Sequence, residues 1–473
     1  MDRREFVISS LALGTGVASR SALAQISGDA TPVTVSVHTD QPLATIAPDF
    51  LGLGFEVSSV ARLGVMNRAA RVHVELIRTL GRHGVIRIGG NTSDYAHYAA
   101  RDPAVASAYG TVINDAVLKD LGGFLDATGW NLIWGFNLGR GTQAEALAEA
   151  AVVLPIAGRR LVACEIGNEP DLFVGAKHRT DYSYDAWLAE YRSYKSALRA
   201  RFPHIPLAGP DAAGNTDWVT RFAADEGKDA ALLTAHYYRE HQNDTSTIEK
   251  LLAVDPRLQG RMDQWHAASQ SCARAYRICE TNSFSGGGRP GVSDTMAGAL
   301  WVLDFMYTLA SNGCSGVNME TGINHLDFMS SYSPIADDEH GHYTARPEYY
   351  GMLAFSLGGR GKLLQTDVTT QAPQIKAYAT RSDEGALAIT LINKGAGQHD
   401  ADLQIAGLGA ARRATIDRLS APGVDAKTGV TLGGAQVTPQ GSWKASKSES
   451  MHVADGKLSV RLPAYSAAIC TVV

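Results

Sequence analysis

Two glutamates stand where acid/base chemistry needs them. Glu169 lies in Ala163-Cys164-Glu165-Ile166-Gly167-Asn168-Glu169-Pro170-Asp171, and Glu280 lies in Tyr276-Arg277-Ile278-Cys279-Glu280-Thr281-Asn282. Each segment reads as a short apolar strand ending in a carboxylate where the chain must turn. Carboxylates paired from the ends of different strands suit general acid/base work or glycosyl transfer. Helix capping is the other common use of such residues, but these two end strands rather than open helices.

The elements that must position them alternate along the middle of the chain. Strand candidates run Leu51 to Val57, Val85 to Gly89, Asn131 to Asn137, Leu161 to Gly167, Ile205 to Gly209, Leu232 to Tyr237, Tyr276 to Glu280 and Ser315 to Glu320. Helical patterns fall between them, among them Val72 to His83, Ala144 to Ile156, Tyr184 to Arg201 and Thr295 to Ser311. This alternation predicts an α/β fold, a (β/α)8 TIM barrel, over residues 45–358. No GxGxxG follows the first strand, which weakens an open dinucleotide-binding sheet. In such a barrel the chemistry sits at the C-terminal strand ends. Glu56, the Gly89 to Asp94 turn, Asn168, Glu169, the His236-Tyr237-Tyr238 run and Glu280 all fall there.

The flanks read differently. Val33 to Val37 alternates like a strand, and after Gly361 come β segments at Gln374 to Thr380, Ala386 to Asn393 and Lys457 to Val473. Turn signals such as Asn393-Lys394-Gly395 and Ala454-Asp455-Gly456 separate them. Residues 359–473 are expected to form a β-sandwich domain, joined by an N-terminal strand around 32–44.

The bulk numbers narrow the class. A chain of 473 residues, 45% apolar and 19% charged, can bury a large core and has the composition of a soluble enzyme or binding protein. A net charge of -5 offers no basic face for nucleic acid, and no later run is long and apolar enough to span a membrane. Neither a nucleic acid nor a membrane is expected as partner; the oligomeric state is left open. The five cysteines are scattered without CxxC spacing, so buried small side chains are expected rather than a disulfide framework or zinc site. Asp337-Asp338-Glu339-His340-Gly341-His342 collects possible metal ligands but reads as a hydrated acidic loop; no metal and no cofactor is expected.

The N-terminus reads as an address. Arg3-Arg4 followed by Phe6, a mild apolar run to Val17 and Ala22-Leu23-Ala24 have the layout of a signal peptide over residues 1–24. The arginine pair looks like a twin-arginine export signal. A bacterial periplasmic or secreted enzyme beginning near Gln25 is expected.

The ordered motifs resemble a known family. Asn168-Glu169-Pro170 after the fourth strand, with Glu280 ending the seventh, resembles the retaining glycosidases of clan A. Glu165 to Phe173, Arg87 to Asp94, Gly286-Gly287-Gly288 and the terminal Leu462 to Ser466 segment resemble glycoside hydrolase family 79, which holds β-glucuronidases and heparanases. The resemblance implies Glu169 as acid/base and Glu280 as nucleophile, about 5–5.5 Å apart. Glu169 must then start protonated, its pKa raised by burial or by Glu280, and must lose its proton once the glycosyl-enzyme has formed.

It further implies that Asn168 bonds the sugar 2-hydroxyl and that Glu56, Asn91 and Asp94 hold the 3- and 4-hydroxyls. A capping role in the turn after Gly90 is the alternative for Asp94. Tyr237 is the candidate to orient Glu280, with rim packing as its alternative. The family's glucuronate enzymes hold the sugar carboxylate with two tyrosines and consecutive glycine N–H groups; Gly286, Gly287 and Tyr332 match. The second tyrosine position is Ser285, with Arg289 and Tyr343 as candidates to compensate.

The expected function is therefore a retaining, exo-acting β-glucuronidase, with a glucuronic-acid-containing carbohydrate as its substrate. The alternatives are an endo-acting, heparanase-like hydrolase, a β-glycosidase for a related sugar, and a carbohydrate-binding protein on the same fold. The chain has no dense Lys/Arg run to grip a sulfated polymer, which favours exo action.

Overall fold

A computed structural model of the chain describes residues 33–174, 178–322, 329–338, 340–408 and 412–473. The predicted leader with Arg3 and Arg4, and Glu339 of the acidic loop, lie outside the described residues.

Eight parallel strands form the barrel: β1 (Leu51–Glu56), β2 (Val85–Gly89), β3 (Asn131–Phe136), β4 (Leu161–Ile166), β5 (Ala208–Ala212), β6 (Leu232–Tyr238), β7 (Tyr276–Asn282) and β8 (Val317–Glu320). Their order is β4-β3-β2-β1-β8-β7-β6-β5. The seam between β4 and β5 closes where the Cys164 N–H donates to the Pro206 carbonyl at 2.7 Å. These strands are buried on both faces, which is why they read as nearly continuous apolar runs. The helices Arg71–Leu80, Gln143–Ala157, Tyr184–Arg201 and Met296–Ser311 stand close to their predicted bounds. Thr142 and Glu145 close a reciprocal capping box on the second of these, so the sequence itself marks where it starts.

Inside the barrel, period-2 alternation sorts the side chains into layers. Val85, Ile133, Ala163, Ala208, Leu232 and Cys279 pack together as an apolar plug. One pleat further toward the C-terminal ends, Arg87 and Glu165 succeed Val85 and Ala163, and the interior turns polar. Glycine makes the space for this layer: a Cβ at Gly89 would lie 2.4 Å from the Arg87 guanidinium carbon.

The N-terminal strand Val33–Ile46 pairs antiparallel with Gly361–Thr369 and parallel with His399–Ile405. It belongs to a ten-stranded sheet. This sheet curls over its own core, which includes Val35, Val37, Ile389, Leu391, Leu403 and Val460. It rests on the barrel through Tyr378, stacked 4.6 Å from Tyr307, and through Lys394, paired with Asp304 at 2.5 Å.

Two differences from the sequence reading have a physical cause. The fifth barrel strand is Ala208–Ala212, not Ile205–Gly209, because Pro210-Asp211 looks like a turn yet is buried in the sheet. The strands Gly361–Thr369, His399–Ile405, Arg412–Ser420 and Glu449–Val453 went unrecognised. Each carries charged or polar side chains on its outer face, which dilutes the apolar signal. No helix among the described residues is long and apolar enough to cross a membrane.

Candidate active site

The polar layer of the barrel is built around one buried guanidinium. From Arg87 on β2, Nε donates to Glu165 Oε2 at 3.0 Å and Nη1 to Glu280 Oε2 at 2.9 Å. Nη2 donates to Asn168 Oδ1 at 2.9 Å and Asp211 Oδ2 at 2.6 Å. An arginine in an apolar strand must be paired once buried, and this one gathers groups from β4, β5 and β7. His236 on β6 completes the layer, with Nδ1 3.2 Å from Glu169 Oε1 and Nε2 2.9 Å from Asp211 Oδ1.

Local backbone irregularities aim the acids. Ile278 pairs with Ala235 and Glu280 with His236, so Cys279 is an extra residue in β7. This bulge lets Cys279 and Glu280, neighbours in sequence, both face the interior: Cys279 joins the plug and Glu280 meets Arg87. Asp211 is likewise the unpaired residue of β5, with φ +58°. Glu169 also adopts a left-handed backbone, φ +52°, and its N–H donates to the Asp211 carbonyl at 3.0 Å. Non-glycine residues in that region cluster at functional sites, because the surrounding structure must hold them there.

The two glutamates meet. An oxygen of Glu169, an oxygen of Glu280 and a ring nitrogen of His236 all lie within 4.8 Å of one another. That spacing suits a carboxylate that attacks beside a carboxyl that donates a proton; inverting pairs stand about 6.5–9.5 Å apart to admit water.

Charge inside the cluster is balanced. Burial opposes a charged His236, but Asp211 and Glu280 hold its imidazolium well above the usual histidine range. Burial likewise opposes ionisation of Asp211, and His236 and Arg87 outweigh it, pulling the carboxyl down to about 2. Burial, reinforced by Asp211, pushes Glu165 up to about 7 against the pull of Arg87 and His236. Burial also raises Glu280, with His236 and Arg87 opposing and Glu169 adding to the rise. Two cations thus face two anions, Asp211 and Glu280, while Glu165 holds its proton below about 7. Glu169, His236 and Glu280, and also Glu165, Asp211 and Cys279, have atoms of metal-ligand type close together. Arg87 and His236 already supply positive charge to both sets, which suits them to handling protons.

The other sequence-predicted residues divide. Asn168 faces the pocket: Arg87 donates to its Oδ1, while its Nδ2 is buried without a partner among the described residues. Glu56 accepts from the Asn91 and Thr92 N–H groups and the Thr92 hydroxyl, so it caps the turn after β2. The Asn91 side chain is exposed. Asp94 is fully buried and accepts from the N–H groups of Leu138, Gly139 and Asn168. It ties the loops after β3 and β4 together and positions Asn168 from behind, rather than capping the turn after Gly90. Gly286 and Gly287 turn with φ +78° and +85°, and the Ser331 N–H donates to the Gly287 carbonyl at 2.6 Å, placing this turn beside buried Tyr332.

Tyr237 is a correction. It points out of the barrel, donates to Asp255 at 2.8 Å and stacks on Phe305. Its neighbour Tyr238 points in and donates to Glu280 Oε1 at 2.9 Å. Strict alternation from His236 could have shown this, since His236 and Tyr238 share a face. Neither candidate to compensate for Ser285 does so. Arg289 pairs with Asp244 at 3.0 Å, and Tyr343 stacks on buried His73. The ring beside Ser285 is His241, with Nδ1 3.3 Å from the hydroxyl. Asp211 gave no sequence signal, because a bulge at a buried Pro-Asp reads as a loop.

Comparison with known proteins agrees with this architecture. Residues 377–469 match the glycosyl hydrolase family 79 C-terminal beta domain. A beta-glucuronidase of Neurospora crassa is 28% identical over 68% of this chain and 65% of its own length, so the chain spans about two thirds of that relative. A beta-glucuronidase of Aspergillus niger is 25% identical over 82% of this chain and 83% of its own. Among solved structures, a 4-O-alpha-L-rhamnosyl-beta-D-glucuronidase from Fusarium oxysporum superposes with a TM-score of 0.75 at 19% identity, over 93% of this chain and all of that one. With the C-terminal domain matched and relatives aligned across most of the sequence, the chain is similar to the proteins of glycoside hydrolase family 79.

Proposed function

We propose that this chain is a retaining β-glycosidase that removes terminal β-linked glucuronic acid. Glu280 attacks the anomeric carbon while Glu169 gives its proton to the departing oxygen. Glu169 then takes a proton from the water that releases the sugar. The observation that carries this reading is the close pair Glu169 and Glu280, on the ends of β4 and β7 and bridged by His236. A raised pKa supports the role of Glu280, since a more basic carboxylate is a better nucleophile wherever the working pH keeps it ionised. The unpartnered Nδ2 of Asn168 supports a hydroxyl contact, because a buried donor costs free energy until an acceptor arrives. The substrate class is supported by the two β-glucuronidase relatives.

The test is hydrolysis of an aryl β-glucuronide followed by proton NMR of the first sugar released. The expected product is the β anomer, and Glu280→Gln should lose at least about a thousandfold in kcat. Release of the α anomer would overturn the retaining assignment, and full activity in Glu280→Gln would overturn the nucleophile. Faster release of another aryl sugar would replace the substrate while leaving the mechanism.

The Arg3-Arg4 leader supports export through the twin-arginine route. All five cysteines are unpaired, so the fold needs no oxidising compartment. Replacing both arginines by lysine should abolish export of a fused reporter; continued export would remove the assignment.

A further inference from the structure

Glu320 ends β8 and belongs to none of the contacts described above. The residue is 5% exposed, and its Oε2 has no hydrogen-bond partner among the described residues. The inward position of β1 beside it is Gly54; a Cβ there would lie 2.6 Å from Glu320 Oε2, so the carboxyl occupies space that a side chain on β1 would fill. The groups whose charge it feels are Glu280, Glu56, Arg87 and His236, and it in turn acts on Tyr332 and Tyr238. Asn282 ties this wall together, its Nδ2 reaching the Glu320 carbonyl at 3.2 Å and the Tyr332 carbonyl at 3.5 Å. The glycine turn joins through the Ser331 to Gly287 bond. Glu320, Tyr332 and Gly287 therefore share one side of the pocket.

We propose that Glu320 is a specificity-determining residue that donates a hydrogen bond from its unpartnered carboxyl to the carboxylate of the bound uronic acid. The inference deepens the glucuronidase reading and rests on it. An ionised carboxylate with a buried, unpartnered oxygen would be costly, and more so beside Glu280 and Glu56. A neutral carboxyl in the same place lacks only an acceptor. Burial, together with Glu280 and Glu56, raises Glu320 well above the carboxylate range, against Arg87 and His236. A uronate supplies the acceptor, and the acid-to-carboxylate bond is of the strong, charge-assisted kind. A sugar with a hydroxymethyl group at the same carbon gains much less from it.

The ratio of kcat/KM for 4-nitrophenyl β-glucuronide to that for 4-nitrophenyl β-glucoside reads this directly, because effects on Glu169, His236 and Glu280 act on both substrates and cancel. In the wild type the ratio should fall as pH rises and Glu320 ionises. Glu320→Gln keeps a donor and cannot ionise. It should keep the ratio within about threefold at low pH and make it independent of pH between 5 and 9. Glu320→Ala should lower the ratio at least tenfold, through KM of the glucuronide. An unchanged ratio in Glu320→Ala, or the same pH dependence of the ratio in Glu320→Gln as in wild type, would overturn the proposal. Should Glu320→Ala fail to fold, the pH dependence in the isosteric Glu320→Gln decides alone. A wild type that does not cleave glucuronide at all is a different result, because it removes the substrate reading before Glu320 is tested.

Discussion

His236 Nδ1 lies 3.2 Å from Glu169 Oε1, while the other ring nitrogen rests on Asp211. An imidazole with both nitrogens facing carboxylates is a donor on both sides, hence a cation. It joins the partner acids without holding a proton that either could use at neutral pH. His236→Asn should lower kcat/KM about 10- to 100-fold, the loss of one or two charge-assisted hydrogen bonds. It should also move the acidic limb of the pH profile upward, because Glu280 loses a neighbouring positive charge that favours its ionised form. A parallel loss of rate with an unmoved acidic limb would show a purely structural role.

The tyrosine pair separates orientation from packing. Tyr238→Phe removes the bond to Glu280 and should reduce kcat about tenfold or more with little change in melting temperature. Tyr237→Phe breaks the bond to Asp255 on the outer face and should cost about 1 kcal/mol of stability with kcat intact. Kinetics and thermal unfolding of both variants check the assignment; the opposite pattern would reverse it.

Removal of Glu169, the proposed acid/base, should be rescued chemically. In Glu169→Ala, an activated aryl glucuronide still loads the nucleophile, but water lacks a base to release the sugar. Azide needs no base, so it should accelerate turnover and give the β-glycosyl azide, retaining configuration. In Glu280→Ala, azide should instead attack the substrate directly and give the α product. The anomer of the azide, read by NMR, therefore separates the two roles.

Stability should fall as pH rises from about 4.5 to 7. Glu149, buried under Trp134, is pushed up to about 8 by burial, and Glu165 up to about 7. Both bind protons in the fold that the unfolded chain has already released across this window. Stability with respect to these groups is present below their unfolded value and declines until pH passes their folded values. His236, raised well above the usual histidine range, adds to the decline once the unfolded histidine loses its proton, above about pH 6.5. Each contributes a slope of up to about 1.4 kcal/mol per pH unit. Asp211, lowered to about 2, works the other way and loses its contribution only in strong acid. Denaturant unfolding at pH 5 and 7 should give the higher stability at pH 5, and Glu149→Gln should flatten the difference.

The sequence by itself determined the barrel and put two glutamates at the ends of its strands. Strands such as Val85 to Gly89 and Leu161 to Ile166 are apolar on both faces because helices cover a closed parallel sheet, and that pattern survives in one dimension. Glu169 and Glu280 were legible because each follows such a run at the end where a barrel places its chemistry. The polar framework beneath them was decided by tertiary structure. Arg87 shows in the sequence as a lone charge in a buried strand, but only the closed barrel shows that Glu165, Asn168, Asp211 and Glu280 are its partners. The direction of a side chain near a strand end depends on bulges, and a bulge is a matter of pairing between strands. The extra residue Cys279 turns Glu280 inward, and the extra residue Asp211 is delivered to His236. The choice between Tyr237 and Tyr238 needed only the pleat, which fixes that residues one apart face opposite ways. Glu320 lies at the far limit. It too ends a strand, but its interest comes from Gly54 on the neighbouring strand leaving it room and from no group among the described residues meeting its Oε2.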